Sequence, residues 1–385
     1  MRIVTKKAKN FLRQIPTRDE DLFCCLFEAA ENASRGKRRT VDQARFMKRH
    51  KENIEILAND IINRQYKPSR SKAFIIHKPV IREIFAATFR DRVVHHFLYG
   101  IVAPWWNVRF IRDSYSCQEG KGNLDGVARM QKYMRQAIEE NYRKTGRKKA
   151  WIVQEDIKGF FMSLNREMLF KMAVEGLDKQ FPKKGWLYET CKYLWKEIIF
   201  DEPTKGVRRC GKRSDWNDLP KRKSLFGQPK GQGIVIGNLT SQLLSNICLN
   251  YLDVYVTRTL GIKRYGRYVD DFYMVLTEEE YEKLMPELRE KIGVKLGELG
   301  LELHPAKEYI QPVSHGANFL GWKVFPYRKL PSERLIRNFR ESARLVAAGE
   351  VDEETIISHM GMLRHGDTKK VVYRVFNNNG WRYKY

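Results

Sequence analysis

Two carboxylates stand side by side at Asp270 and Asp271, inside the stretch Arg267-Tyr-Val-Asp-Asp-Phe-Tyr-Met-Val275. The flanking residues are β-branched and aromatic, which predicts two short strands meeting where the Asp pair forces a reversal. Charges held this close repel and raise each other's pKa unless water or a divalent cation balances them. A lone Asp-Asp dipeptide is ordinarily a solvated turn, because Asp favours turns. Asp156 changes that weighting. It follows Trp151-Ile-Val153, which reads as a buried strand, and an acid just past such a strand is costly unless it ligates something. Magnesium is typically held by one or two carboxylates plus substrate phosphates, and a two-metal site aligns the attacking and leaving oxygens of phosphoryl transfer. Asp156, Asp270 and Asp271 are thus the candidate catalytic residues and ligands for two Mg2+ ions, with Mn2+ a possible substitute.

Other elements must bring a substrate to that site. Phe74 to Phe85 reads as strand, Pro-containing turn, strand, with Lys78 near the tip and Arg82 just after it. One compact and one fork-shaped cation suit a triphosphate. Gly233 to Leu260 joins a glycine-punctuated turn to a helix whose Leu244, Ile247, Tyr251 and Tyr255 share a face. Asn238 or Thr240 would cap its start. Small residues such as Gly237 beside a helix N-terminus let backbone N–H groups approach a nucleotide. A helix is expected from Asn123 to Tyr142, a second from Glu278 to Leu299, and a third, basic one through Leu335, Phe339, Ala343 and Val346.

Three stretches carry a family resemblance. Asp156-Ile-Lys-Gly-Phe-Phe161 resembles the first palm motif of reverse transcriptases, and Tyr268-Val-Asp-Asp271 their Tyr-X-Asp-Asp box. Gly237-Asn-Leu-Thr-Ser-Gln242 resembles the reverse transcriptases of diversity-generating retroelements, where group II intron enzymes would show Pro-Gln-Gly followed by Ser-Pro. The motif order matches from about Arg70 to Trp322. The resemblance implies an α+β right-hand polymerase with fingers, a palm whose antiparallel sheet packs on helices, and a small helical thumb. Its divisions would be a helical extension over 1–60, fingers over 61–150, palm over 151–325 with an inserted basic loop at 201–230 and part of the fingers, and thumb plus tail over 326–385.

By the same resemblance, Lys78 and Arg82 would contact the incoming nucleotide, together with Gly237 and Gln242. Phe161 would be the ring that excludes a ribose 2′-hydroxyl, although Phe160 fits that role as well. Ile236 falls where these enzymes usually carry Gln; an aliphatic side chain cannot make the polar contact, so base selection should be loose and copying error-prone. Lys307 would sit near the leaving pyrophosphate as a proton donor. Phe319-Leu-Gly-Trp322 would form the primer-grip hairpin. The implied partners are a template-repeat RNA, the RNA–cDNA duplex, dNTPs and the accessory variability determinant protein. A group II intron-like or retron-like enzyme, an RNA-templated RNA polymerase and a catalytically silent RNA-binding or antiphage protein of the same fold are the alternatives.

Composition agrees with a nucleic-acid partner. The 385 residues carry 72 Lys and Arg against 46 Asp and Glu, a formal charge of +26 spread along the chain rather than confined to a tail. Such a field attracts polyanions. Nothing reads as an amphipathic basic membrane helix, a lipid anchor or an apolar span, so no membrane partner is expected. Six cysteines lack metal-binding spacing, and a reducing cytoplasm fits them; the resemblance implies a bacterial, archaeal or phage-encoded protein. His95 and His96 point to different sides of a helix and read as structural. The basic runs at 35–39 and 143–149 read first as solvated, and 201–230 as a polar, mobile insertion suited to a template strand.

Overall fold

The computed structural model describes residues 19–35, 40–77 and 80–381. Residues 1–18, most of the 35–39 basic run, Lys78 and the last four residues lie outside them. In chain order the elements are α1 (Asp19–Ser34), α2 (Val41–Lys48), α3 (His50–Ile62), β1 (Lys72–Ile76), β2 (Arg82–Ala86), α4 (Phe89–Asn107), α5 (Asn123–Thr145), β3 (Ala150–Glu155), the single turn α6 (Phe160–Ser163), α7 (Arg166–Gln180) and α8 (Trp186–Ile199). They continue with β4 (Arg208–Arg209), α9 (Leu239–Val254), β5 (Tyr265–Tyr268), β6 (Asp271–Thr277), α10 (Glu278–Gly297), β7 (Tyr309–Pro312), β8 (Ala317–Phe319), β9 (Trp322–Val324), β10 (Lys329–Pro331), α11 (Glu333–Ala347), α12 (Glu354–Leu363) and α13 (Lys369–Asn378). The fold is therefore α+β, and its chain divides into two compact units that cross back and forth along the sequence.

The first unit gathers Met1–Ile111, Ile157–Tyr255 and Gly293–Glu302. Helices α1, α4, α7 and α9 pack together in it, and β2, β1 and β4 form a small sheet. Thr88 starts α4 by accepting the Asp91 N–H, and the helix runs on through Pro104 to Asn107 instead of stopping there. The 201–230 segment is not a loose excursion. Arg208 and Arg209 pair in parallel with Lys72 and Ala73 of β1, and Leu225 packs with Ala73, Phe85 and Met162. The buried Glu83 carboxylate accepts hydrogen bonds from Trp216 Nε1 (2.8 Å), Ser224 Oγ (3.0 Å) and the Leu225 N–H (2.7 Å). A buried charge of this kind is tolerable only when fully bonded, so the insertion is fastened to the β1–β2 hairpin.

The second unit gathers Arg112–Asp156, Val256–Ile292 and Leu303–Tyr385. Its antiparallel sheet has the order β5-β6-β3-β7. Helix α5 covers one face because Val127, Met130, Met134 and Ala137 recur at helical spacing and meet Ile152, Tyr273 and Val275. Gly146, in the left-handed region at φ 72°, ends α5 by donating to Tyr142 O at 2.8 Å. The hairpin β8–β9 turns through Leu320 (φ 50°) and Gly321 (φ 88°) and closes the same core with Phe319 and Trp322. Beyond it α11, the expected basic helix, packs with α12 and α13, and the three bury Phe339, Ala343, Ile356, Leu363, Val372 and Val375 in a core of their own.

Candidate active site

The carboxylate pair lies at the reversal between β5 and β6. Tyr268 pairs with Asp271, so Val269 and Asp270 are the two turn residues. Val269 has φ 57°, a left-handed conformation that costs a β-branched residue on the order of 1–2 kcal/mol and that glycine normally takes in such hairpins. Something must hold it there, and the fully buried Arg267 does. Its Nη1 donates to Val269 O at 2.9 Å and its Nη2 to Ser114 Oγ at 3.1 Å, while Ser116 Oγ accepts the Val269 N–H at 3.2 Å. Backbone bonds lash Arg267 to the same loop, its N–H donating to Asp113 O and its carbonyl accepting the Tyr115 N–H, both at 2.9 Å.

That loop is anchored in turn. The Asp113 carboxylate accepts from Arg129 Nε at 2.6 Å, Tyr133 OH at 2.5 Å and Arg112 Nη1 at 2.9 Å. Burial alone would raise its pKa, but the hydrogen bonds from Arg129 and Tyr133 and the two guanidinium charges hold it below the usual carboxylate range. The hydroxyls of Tyr115 and Tyr273 lie 2.8 Å apart. A Cβ at Gly266 would come within 2.6 Å of both, so only glycine admits this pair beneath the hairpin.

Asp156 follows β3, the neighbour of β6 in the sheet. Its carbonyl accepts the His304 N–H at 2.7 Å, and its buried Oδ2 receives Lys307 Nζ at 2.5 Å. Arg289 braces this arrangement, with Nη1 at 2.6 Å from each Glu155 oxygen and Nη2 donating to His304 O at 3.2 Å. Asp271 still touches solvent, yet the surrounding protein removes enough water to push its carboxyl up. The charge of Asp270 and the hydrogen bond and charge of Asp156 add to this, and Lys307 opposes them; Asp271 reaches about 7. Burial would lower the Lys307 ammonium, but its hydrogen bond to Asp156 and the three acids raise it above the ordinary lysine value.

Asp156, Asp270, Asp271 and Lys307 thus belong to one unit and share one electrostatic cluster. Three carboxylates with one lysine leave net negative charge, which is the donor chemistry a hard cation satisfies. Among the described residues, no group of three or more His, Cys, Asp and Glu is arranged as a ready metal cage. Magnesium does not require one, since it keeps waters and takes substrate phosphates as further ligands.

The remaining described candidates for nucleotide contact belong to the first unit. Arg82 is exposed at the start of β2, and Lys78 lies outside the described residues. Phe160 is core, whereas Phe161 is half-buried with its carbonyl accepting the Ile234 N–H at 3.0 Å. Ile236 leans on the Ala73–Phe85–Met162–Leu225 cluster, and its carbonyl accepts the Phe85 N–H at 3.3 Å. Gly237 adopts φ 127°, and a Cβ there would stand 3.2 Å from Phe85 O. Asn238 occupies the cap position of α9, but its side chain makes no cap bond; Thr240, inside the helix, instead pairs its hydroxyl with His95 Nδ1 at 2.9 Å. Gln242 is half-buried in the first turn of α9.

Within the expected primer-grip hairpin, the Phe319 and Trp322 side chains are buried against the sheet. Leu320 leans partly buried on the same core, and Gly321 at the tip is half-buried, while alternation along β8 and β9 sends the two rings inward. The supporting residues Arg267, Ser116 and Arg289 were not singled out by sequence. Arg267 adjoins the carboxylate motif, but nothing local says that its side chain turns inward.

No family model matches the chain. It is 23% identical over 333 residues to protein YkfC of Escherichia coli strain K12, covering 77% of each chain. Among solved structures it is similar to telomerase from Candida albicans in complex with a fragment of telomeric RNA (TM-score 0.47, 13% identity, 83% of this chain) and to apo telomerase from Candida tropicalis (TM-score 0.45, 12% identity, 82% of this chain). This chain spans 57% and 59% of the length of those two, respectively.

Proposed function

We propose that the chain is an RNA-directed DNA polymerase of the diversity-generating type, an error-prone reverse transcriptase that copies a template-repeat RNA into mutagenised cDNA. The observation that carries this reading is the clamped hairpin, which sets Asp270 and Asp271 beside Asp156 and Lys307. The β5-β6-β3-β7 sheet would then lie in the palm, β1 and β2 in the fingers, and α11 to α13 in the thumb. Asp156, Asp270 and Asp271 would hold two Mg2+ ions, which when bound supply charge stabilisation to an in-line phosphoryl transfer.

The chain's own residues do the rest. Arg267 and Ser116 fix the carboxylates in advance, so little reorganisation is needed on binding. Lys307, an ammonium raised in pKa, neutralises Asp156 and stands ready to protonate a departing phosphate oxygen. Lys78 and Arg82 would grip the triphosphate, Gly237 would bring backbone close to the nucleotide, and Phe161 would face its sugar. Ile236 spends its side chain on an apolar cluster, which leaves no polar arm to check base geometry and supports the error-prone reading. The template-repeat RNA, the growing cDNA and the accessory protein are the proposed partners. Among the described residues no helix is long and apolar enough to cross a membrane.

The test is magnesium-dependent dNTP incorporation on a defined RNA template, with and without the accessory protein and cognate RNA, beside an Asp270→Asn variant. Incorporation lost in that variant, with errors concentrated opposite template adenines, is the expected result. Faithful cDNA would move the assignment to an intron or retron enzyme, ribonucleotide incorporation to an RNA polymerase, and absence of synthesis under every condition to an RNA-binding protein.

A further inference from the structure

Helix α5 turns a second, chemically distinct face away from the sheet. Lys132, Arg135, Gln136, Ile138, Glu139 and Tyr142 of that helix, with Lys148 and Tyr327, line an open recess of about 460 Å3. None of the clustered carboxylates contributes to its lining. Its volume lies within the range of small-ligand sites, roughly 300–1,000 Å3.

Its walls are fixed. Gln131 Nε2 donates to Phe325 O at 2.9 Å and Arg135 Nη1 to Pro326 O at 2.6 Å, so the segment leading into Tyr327 is tied to α5. Two aromatic rings nevertheless stay in water, Tyr142 at 50% exposure and Tyr327 at 79%. Lys148 Nζ stands 5.5 Å from the Tyr142 ring. Lys132, Arg135 and Lys148 form no ion pair with a carboxylate of the described residues, and the one acid of the lining, Glu139, is already paired with Arg143. The recess therefore combines uncompensated positive charge with exposed aromatic surface, on a chain of net charge +26.

We propose that this recess is a second nucleic-acid site that takes single-stranded RNA, with a base stacked on Tyr142 or Tyr327 and the adjoining phosphates on Lys132, Arg135 and Lys148. Flexible single strands present bases for stacking and phosphates for cations within one or two nucleotides, which is the pairing offered here. A duplex hides its base faces and would leave the tyrosines unused. An acidic polypeptide would answer the cations but not the rings.

The experiment uses the full chain and a short oligouridylate carrying a photoreactive thiouridine, with crosslinked peptides mapped by mass spectrometry. Crosslinks should fall on the peptides containing Tyr142 and Tyr327. Replacing both (Tyr142→Leu with Tyr327→Leu) should abolish those crosslinks and weaken oligouridylate binding about tenfold or more. Tyr142→Phe with Tyr327→Phe should keep both, because the ring stacks without its hydroxyl. Lys132→Gln with Lys148→Gln should reduce the slope of log affinity against log salt by about 2. Nucleotide addition to a pre-annealed primer–template should be unchanged in all of these variants. The site needs no catalysis, so Asp270→Asn protein should crosslink as the parent does, and a chain that never adds a nucleotide would leave this inference standing. It is overturned if the Leu variants crosslink and bind like the parent, if the mapped peptides lie elsewhere, or if polyglutamate competes as well as the RNA does.

Discussion

At the scale of single residues, the geometry of the carboxylates depends on an arginine that bears no substrate. Arg267 spans two acceptors, Val269 O and Ser114 Oγ, with the two arms of one rigid fork. A lysine at this position keeps the charge but has a single terminal nitrogen, so it cannot reproduce both bonds at once. Val269 would then be free to leave its left-handed conformation, carrying Asp270 with it. Misplacement of a catalytic group by about 1 Å can cost on the order of a hundredfold in rate. Arg267→Lys should accordingly slow single-turnover nucleotide addition between about tenfold and a hundredfold, and Ser116→Ala, which removes one bond to the Val269 N–H, by less. Circular dichroism should show the Arg267→Lys protein folded. Addition at the parent rate would mean that the turn holds its shape without the clamp.

At the scale of elements, the junction of α4 with α9 stores a pH dependence. His95 is buried on α4 and bonds to Thr240 of α9. Burial pushes its pKa down to about 4; Asp91 pulls the other way, while His96 and Arg92 add to the lowering. In the unfolded chain the imidazole titrates near 6.5, so between pH 6.5 and 4 the unfolded state binds the extra proton. The stabilisation is complete above pH 6.5 and is lost as pH falls toward 4, a total of about 3 kcal/mol. His95→Gln keeps a polar partner for Thr240 without titrating. In urea unfolding at pH 7 and pH 4.5, the parent should lose about 2–3 kcal/mol more than this variant over the interval. Equal losses would show that His95 is charged or solvated in the fold.

Elements of this kind mark where the sequence is legible. The helix begun at Asn123 and the β5–β6 reversal at Asp270 follow from local spacing and turn chemistry. The polar composition of 201–230 predicts a mobile insertion. It is held by Glu83, a partner far away in sequence, and a single chain without pairing information does not reveal such a bond. The same limit hid the inward turn of Arg267 and the placing of Tyr142 and Tyr327 on one recess. The rings of Phe319 and Trp322 were visible as aromatic, but only strand register decides that they face the core.

At the scale of the whole molecule, an excess of 26 positive charges would make the proposed RNA binding a matter of counterion release, with the proposed stacking added locally. The two contributions respond differently to salt. Phosphate contacts make log affinity fall linearly with log salt, and six to ten of them lose about 10³–10⁵ in affinity between about 50 and 200 mM. Stacking on a neutral ring carries no such slope. Single strands have the shallower slope, so six contacts should cost the parent chain about three-hundredfold in single-stranded RNA affinity over that interval, measured by fluorescence anisotropy. The deficit of the Tyr142→Leu, Tyr327→Leu protein should keep nearly the same ratio at every salt concentration, whereas that of the Lys132→Gln, Lys148→Gln protein should shrink as salt rises. A flat salt response in the parent would deny that its charge is spent on phosphates. A tyrosine deficit that vanished with salt would mean that the rings act by shaping the field around the recess and not by stacking.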